Sequence, residues 1–309
     1  MNSDKPLTEN GLPSWIRVAA TRGGGSASLA AGAALARLDL LVRQEPAYAG
    51  ALRARLSLQA AAVAARLMRL REDEGALRDA AHLSSYGDPG RAGRVHRLWR
   101  DMSTGQPDLE LAGLEGVCRL LDAAALPSHS AAQLLALWQA DGDPVDVAAR
   151  AATAAGDGQS RPEAEILGAW AADCLLAKRI GWSRPLPLLL TQSQHPILRA
   201  ANRRIRPGDD NWAVAAAAAY ALAATAAYDL AQDLARRAAR LESISPRLRA
   251  KGAIAAVQLL LGDDCVAAAH AARRCGLSDR AARRLFDRLR DLGAVRELSG
   301  RSNFRLYGL

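Results

Sequence analysis

The chain is poor in the residues from which β-rich folds, disulfide frameworks and zinc sites are built. Aromatic residues make up only 4% of its 309 positions. Its cysteines are scattered, with no C-x-x-C pair among Cys118, Cys174, Cys265 and Cys275. Because structural zinc sites and disulfide scaffolds need closely spaced or paired cysteines, this pattern predicts four free thiols in a reducing compartment. We therefore expect a cytoplasmic protein without a bound metal.

Several familiar catalytic and targeting motifs are also missing. The sequence contains no G-x-S-x-G, Walker A, Rossmann glycine or H-E-x-x-H pattern, so no cofactor is expected. No apolar stretch lies beside the first charges, and a signal peptide is not expected. The apolar run 212–228 is shorter than the roughly 20 residues that a bilayer requires. It predicts a buried core helix, and no membrane partner is expected.

Alanine supplies most of the hydrophobic half of the composition, with 69 copies. Alanine has the strongest intrinsic preference for helix, whereas the residues that favour strands are sparse. The predicted fold is mostly α: an alanine-rich multi-helix bundle followed by a small C-terminal winged helix-turn-helix with one β-hairpin.

Three segments are expected. Residues 1–26, with the run Gly23-Gly24-Gly25, read as a flexible N-terminal arm. Residues 27–244 read as a helical domain and 245–309 as the winged helix-turn-helix domain. Apolar periodicity predicts a helix over 48–82 that is kinked near Gly75, and further helices at 29–43, 91–102, 109–123, 130–140, 145–154, Pro162–Ile180 and 212–242.

Positive charge is concentrated at the C-terminal end. The formal net charge is +9, and residues 246–309 hold 13 Arg and Lys against six Asp and Glu. A basic segment of this kind is typical of proteins that bind polyanions. An arginine-rich protein with solvated helix faces is the alternative interpretation.

The same segment has the pattern of three helices and a hairpin. A first helix is predicted from Pro246, with a buried stripe of Ala250, Ile254, Val257 and Leu261. A second covers about 265–274. The third begins at the N-cap Ser278 and is expected to bury Ala281, Leu285, Leu289 and Leu292. Strand-like runs at 294–298 and 303–307 then flank a turn.

This arrangement predicts a DNA-reading helix and a wing. Arginine binds guanine edges or phosphate with two parallel hydrogen bonds, and the major groove accepts an α-helix. Asp287 is expected to tune that surface or to pair with Arg283 or Arg284. The predicted DNA-binding residues are Ser278, Arg280, Arg283, Arg284, Asp287, Arg301, Asn303 and Arg305.

A second polar group lies in the first third of the chain. Glu72, Asp79 and His82 stand at helical spacing and could present two carboxylates and an imidazole on one face. A solvated helix face explains the same pattern, because Glu74 and Arg78 form an ordinary i,i+4 pair.

Several stretches resemble an uncharacterised bacterial family, known from alphaproteobacteria and labelled domain of unknown function 1403. They are "AALARLDLLVRQEPAYAGALRARLSLQAAA", "REDEGALRDA", "RPLPLLL" and "LSDRAARRLFDRLRDLGAVRELSGRSNFRLYGL". The resemblance covers nearly the whole chain and implies no activity. The final stretch is also similar to winged-helix ends of some Fic-type and transcription-regulator proteins. The Fic signature H-P-F-x-x-G-N is missing, because Ile-Leu-Arg follows His195-Pro196.

Three functions remain open at this stage. The leading one is a non-enzymatic regulatory or accessory protein that binds duplex DNA, with the helical domain serving for self-association or for sensing a ligand. The alternative is a protein-interaction module in which the winged helix docks a partner protein. An enzyme that uses the Glu72, Asp79 and His82 face ranks last.

Overall fold

The computed structural model describes residues 13–83, 89–106, 109–156, 161–200, 203–248, 252–299 and 305–309. Within these ranges the protein is mostly helical. Its first ten helices are α1 (Ser14–Arg22), α2 (Gly25–Gln44), α3 (Ala49–Leu67), α4 (Glu74–Leu83), α5 (Gly90–Thr104), α6 (Leu111–Leu120), α7 (Ser128–Gln139), α8 (Pro144–Gly156), α9 (Pro162–Ile180) and α10 (Trp212–Ile244). Two-residue strands β1 (Arg199–Ala200) and β2 (Arg203–Arg204) pair antiparallel between α9 and α10.

Small residues let these helices approach closely. Helix α10 packs against α1, α2 and α8, and α8 packs along α9. A Cβ atom built on Gly168 of α9 would lie 2.8 Å from the carbonyl oxygen of Ala152 in α8. No larger residue fits there without a shift of the backbone. The alanine-rich composition therefore produces a bundle whose helices touch along their backbones.

One buried carboxylate organises the centre of this bundle. Asp173 of α9 is 1% exposed. It accepts hydrogen bonds from the Leu188 amide at 2.8 Å, the Leu189 amide and the Tyr220 hydroxyl at 3.0 Å. Burial raises the pKa of Asp173 to about 7, although the three donors favour its ionised form. Asp173 thus holds the irregular, proline-containing segment after α9 against α10.

Two helices, α2 and α10, have the length and mean hydropathy of membrane spans among the described residues. Buried core helices of soluble proteins often have the same properties. In α10, 67% of the most apolar window is buried inside the protein. Its Tyr220 side chain is fully buried beside Asp173, which agrees with the core helix expected from the sequence.

The expectation of a flexible arm over residues 1–26 is wrong for the described part. Helix α1 buries Ile16 and Ala20 and packs against α2 and α10. Gly23 and Gly24 adopt positive φ values of 75° and 56°, which only glycine adopts readily. They form a tight connection between two helices. Residues 1–12 lie outside the described ranges.

The long helix expected over 48–82 is two helices: residues 68–73 separate α3 from α4, and Gly75, where the kink was expected, is the second residue of α4. Arg69, with φ of 57°, ends α3 in a left-handed conformation. The Asp73 carboxylate then accepts a hydrogen bond from the Ala76 amide at 2.9 Å. Because Asp73 satisfies a free amide of the first turn, a new helix starts at Glu74.

The C-terminal part consists of three helices and a three-stranded sheet. The elements are α11 (Ala253–Gly262), β3 (Val266–Ala267), α12 (Ala268–Cys275), α13 (Asp279–Asp291), β4 (Arg296–Glu297) and β5 (Leu306–Gly308). The sheet is antiparallel with the order β3-β5-β4. The β4–β5 hairpin agrees with the sequence analysis. Strand β3 was not expected, because two residues leave no alternating pattern in the sequence.

The first of these helices begins later than predicted. Pro246 lies in a 3₁₀ turn, Ser245–Arg247, and α11 starts after Gly252, whose φ is 85°. The prediction that Ile254 is buried is wrong, since its side chain is 71% exposed, whereas Val257 and Leu261 are buried. The later start changes which residues face the core. Ala250 lies outside the described ranges.

Asp173 provides a test of the bundle. Replacing it with Ala leaves three buried donors without an acceptor, and each costs about 1 kcal/mol or more. We expect Asp173→Ala to lower the free energy of unfolding by roughly 3 kcal/mol in urea denaturation. Asp173→Asn keeps one oxygen acceptor and should lose less. Asp146→Ala, at an exposed position, is the control, and a loss equal to that control would contradict the account.

Candidate nucleic-acid interface

Helix α13 begins at the cap that the sequence indicates. The Ser278 Oγ accepts a hydrogen bond from the Ala281 amide at 3.2 Å. The preceding helix α12 ends at Gly276, which has φ of 64° and whose amide bonds to the carbonyl of Ala272. A cap and a left-handed glycine only two residues apart produce a sharp turn between α12 and α13. Ser278 therefore has a structural role in starting the helix.

The inner face of α13 is centred on Phe286. Its ring stacks on the Tyr307 ring of β5, with centroids 4.8 Å apart. The residues buried with it are Ala282, Leu285 and Leu289. The predicted core positions Ala281 and Leu292 are wrong: Ala281 is half-buried and Leu292 is 39% exposed. The contact of Phe286 with the sheet fixes the rotation of α13. The buried face is therefore shifted by about one residue from the face that the sequence predicts.

The opposite face of α13 carries four exposed arginines, here called the basic face: Arg280, Arg283, Arg284 and Arg288. They recur at the three- and four-residue spacing that places side chains on one side of a helix. Among the described residues, no carboxylate lies within ion-pair distance of any of them. Their charge is therefore not neutralised within the described part of the chain.

Asp287 and Arg305 belong to a separate network beside the sheet. The Asp287 Oδ1 lies 3.3 Å from Arg290 Nη1 and 3.4 Å from Arg305 Nη1. Arg305 Nε also lies 3.8 Å from Glu297 of β4. The alternative that Asp287 pairs with Arg283 or Arg284 is wrong: Asp287 shares their helix face, but its ion-pair partners are Arg290 and Arg305. This network joins α13 to both strands of the hairpin.

Two other predicted DNA-binding residues, Arg301 and Asn303, lie outside the described residues.

The C-terminal elements are fixed to the preceding helices by an acidic pair. Asp264 is 4% exposed and binds Arg55 of α3 and Arg78 of α4. Its neighbour Asp263 accepts two hydrogen bonds from Arg100 of α5, at 2.7 and 2.9 Å. The hydrogen bond to Asp263 raises the pKa of Arg100. Helices α3, α4 and α5 thus each form an ion pair with the short segment between α11 and β3.

Two further contacts complete this junction. A Cβ atom on Gly50 of α3 would lie 2.4 Å from the Gly262 oxygen, so α3 meets the end of α11 backbone to backbone. Arg240 of α10 donates a hydrogen bond to the Leu292 carbonyl at 2.9 Å. The end of α13 is held by the bundle, whereas the basic face is exposed.

A cleft of about 710 Å³ lies between α4, α5 and the C-terminal elements. We call it the histidine cleft, because His82, His96 and His270 line it. The His82 Nε2 lies 3.1 Å from the Cys265 Sγ. Burial lowers the pKa of His82 and raises the pKa of the Cys265 thiol well above its usual range. Both groups are therefore neutral near pH 7, unlike the thiolate and imidazolium of a cysteine nucleophile.

The polar group expected from the sequence does not form on one helix face. Glu72 precedes the first residue of α4, so helical spacing does not relate it to Asp79 and His82. Asp79 is buried, and His82 binds Cys265. Among the described residues, no group of three His, Cys, Asp or Glu side chains could hold a metal ion. The four cysteines are free thiols.

Sequence reasoning missed the residues that join the two parts. Arg55, Arg78 and Arg100 stand more than 160 positions before Asp263 and Asp264. Asp263 and Asp264 stand just before the helix predicted over about 265–274, and no spacing in the sequence assigns them a partner. No local pattern connects groups at this separation, and only covariation between the positions could have indicated the contact.

The acidic pair leads to a prediction about stability. Asp264→Asn leaves Arg55 and Arg78 without their shared carboxylate, and we expect the free energy of unfolding to fall by roughly 2 to 3 kcal/mol. Asp263→Asn should cost about 1 kcal/mol or less, because the Arg100 and Asp263 side chains are about one third exposed. Urea denaturation measures both. Equal losses in the two variants would contradict the central position of Asp264.

Comparison with known proteins adds one result. A search of curated proteins found no match to the chain. A family model described as a protein of unknown function (DUF1403) matches residues 2–309. That range covers nearly the whole sequence and agrees with the resemblance noted above. The chain therefore belongs to the DUF1403 family.

Proposed function

We propose that residues 245–309 form a winged helix-turn-helix domain that binds duplex DNA through the basic face of α13. The order of elements supports this assignment. A winged helix-turn-helix has a short strand after its first helix, two further helices and then a hairpin that pairs with that strand. The order α11, β3, α12, α13, β4, β5, with β3 bonded to β5, follows this scheme.

The charge distribution is the observation that carries the proposal. The four arginines of the basic face are exposed and have no carboxylate partner among the described residues, whereas Arg290 and Arg305 are paired. A helix fits the roughly 12 Å width of the major groove, and free guanidinium groups bind phosphates or guanine edges. Because these four arginines have no ion pair among the described residues, no such pair has to be broken when they bind DNA.

The hairpin has a more limited part in this proposal than the sequence alone suggested. Arg305 is engaged with Asp287 and Glu297, so we assign it to holding the wing against α13. Arg301 and Asn303 remain proposed DNA contacts on the basis of the sequence. The same ion pairs hold the described strands β4 and β5 beside α13.

The helical bundle, which comprises the predicted domain 27–244 together with α1, is proposed to position this module in a non-enzymatic regulatory or accessory protein. The contacts of Asp264 and Arg240 hold the C-terminal elements against the bundle. The neutral state of both Cys265 and His82 gives no support to a thiol-based enzyme.

The basic face is tested by changing Arg280, Arg283 and Arg284 together to Ala in the full-length protein. We expect weaker binding to a mixed-sequence DNA duplex, measured by fluorescence anisotropy at two salt concentrations. The slope of log K against log salt should fall in magnitude by about 0.9 for each phosphate that the variant no longer binds. The cause is the smaller number of counterions released from the DNA.

The matched control changes Arg22, Arg150 and Arg236 to Ala. These three arginines are exposed on α1, α8 and α10, so the control loses the same net charge elsewhere. Equal weakening in both triple variants would show that binding depends on overall net charge and not on the basic face. No binding by the native protein at low salt would overturn the proposal, and a stoichiometric protein partner retained after nuclease treatment would favour docking to protein instead.

A further inference from the structure

The histidine cleft has the size and composition of a small-molecule site. Its volume of about 710 Å³ falls within the range of pockets that hold small organic ligands. One wall comes from α4 and α5, and the other from α11, β3 and α12. A ligand in this cleft would contact both the helical bundle and the C-terminal elements.

The charges that line the cleft favour an anion. Arg100 is neutralised by Asp263, and Arg97 lies 3.4 Å from Asp101. Arg273 also lines the cleft and has no carboxylate within ion-pair distance among the described residues. One positive charge is therefore in excess, with imidazole groups around it.

His96 adds a second, independent feature. Its side chain is only 4% exposed and has a hydrogen bond with the backbone of Leu77. Its Nε2 atom has no hydrogen-bond partner among the described residues. Buried polar atoms without partners are rare in proteins and cost about 1 to 3 kcal/mol each.

The protonation state of His96 determines whether its Nε2 atom donates or accepts a hydrogen bond. Burial lowers its pKa to about 4, so the ring is neutral near pH 7. The Leu77 carbonyl can only accept a hydrogen bond, and the ring nitrogen facing it carries the proton. Nε2 is then a free acceptor that requires a donor, such as a hydroxyl group.

From these observations we propose that the histidine cleft binds a small anion that also carries a hydroxyl donor, such as a phosphate monoester or a hydroxy acid. Arg273 would bind its charged oxygens, and His96 Nε2 would accept its hydroxyl proton. The proposal is independent of DNA binding, because it concerns only the cleft.

Inorganic phosphate is the simplest probe, since at neutral pH it carries both negative charge and a hydroxyl group. Sulfate has similar size and charge but no proton to donate. We expect millimolar phosphate to raise the melting temperature of the full-length protein more than equal sulfate does, because only phosphate satisfies both groups. Sulfate also controls for the general stabilisation that both salts produce.

Arg273 and Arg274 provide a matched pair of variants. Both are exposed at the end of α12, but only Arg273 lines the cleft. Arg273→Ala should weaken phosphate binding about tenfold, as expected for removal of a charge-assisted hydrogen bond. Arg274→Ala should bind phosphate like the native protein. Equal melting-temperature shifts with phosphate and sulfate, equal binding by the two variants, or no response to phosphate would overturn the proposal.

Discussion

The buried carboxylate of Asp264 is the group on which the arrangement of the C-terminal elements depends. A charge that is 4% exposed must be paired, because removing it from water is costly. Arg55 and Arg78 supply the partners from two different helices. Their geometry fixes the end of α11 and therefore the start of β3. The bundle and the C-terminal elements are joined by electrostatic contacts as well as by packing.

The same junction explains why one surface is buried and another is free. Asp263 binds Arg100 beside the histidine cleft, and Arg240 holds the end of α13. With α13 fixed at that end and Phe286 stacked on Tyr307, the helix turns its basic face away from the bundle. Arg290 and Arg305 are paired with acids beside the sheet, whereas the four arginines of the basic face have no carboxylate within ion-pair distance among the described residues.

Local features of the fold could be predicted from the sequence, and long-range ones could not. The sequence predicted the helix Pro162–Ile180 and the N-cap at Ser278, because helix propensity and capping depend on neighbouring residues. The rotation of α13 could not be predicted, because Phe286 faces a strand whose position depends on the sheet. The run Gly23-Gly24-Gly25 predicted a flexible arm, whereas Ile16 of the preceding helix α1 is buried in the core. The histidine cleft brings together side chains far apart in sequence, which no spacing rule connects.

Chemical modification of arginines by phenylglyoxal, with and without duplex DNA and read by mass spectrometry, tests the central claim most directly. The account predicts that DNA protects Arg283 and Arg284 while exposed arginines of the bundle, such as Arg150 and Arg236, react at an unchanged rate. Equal reactivity of all four with and without DNA, or protection confined to the bundle, would contradict it.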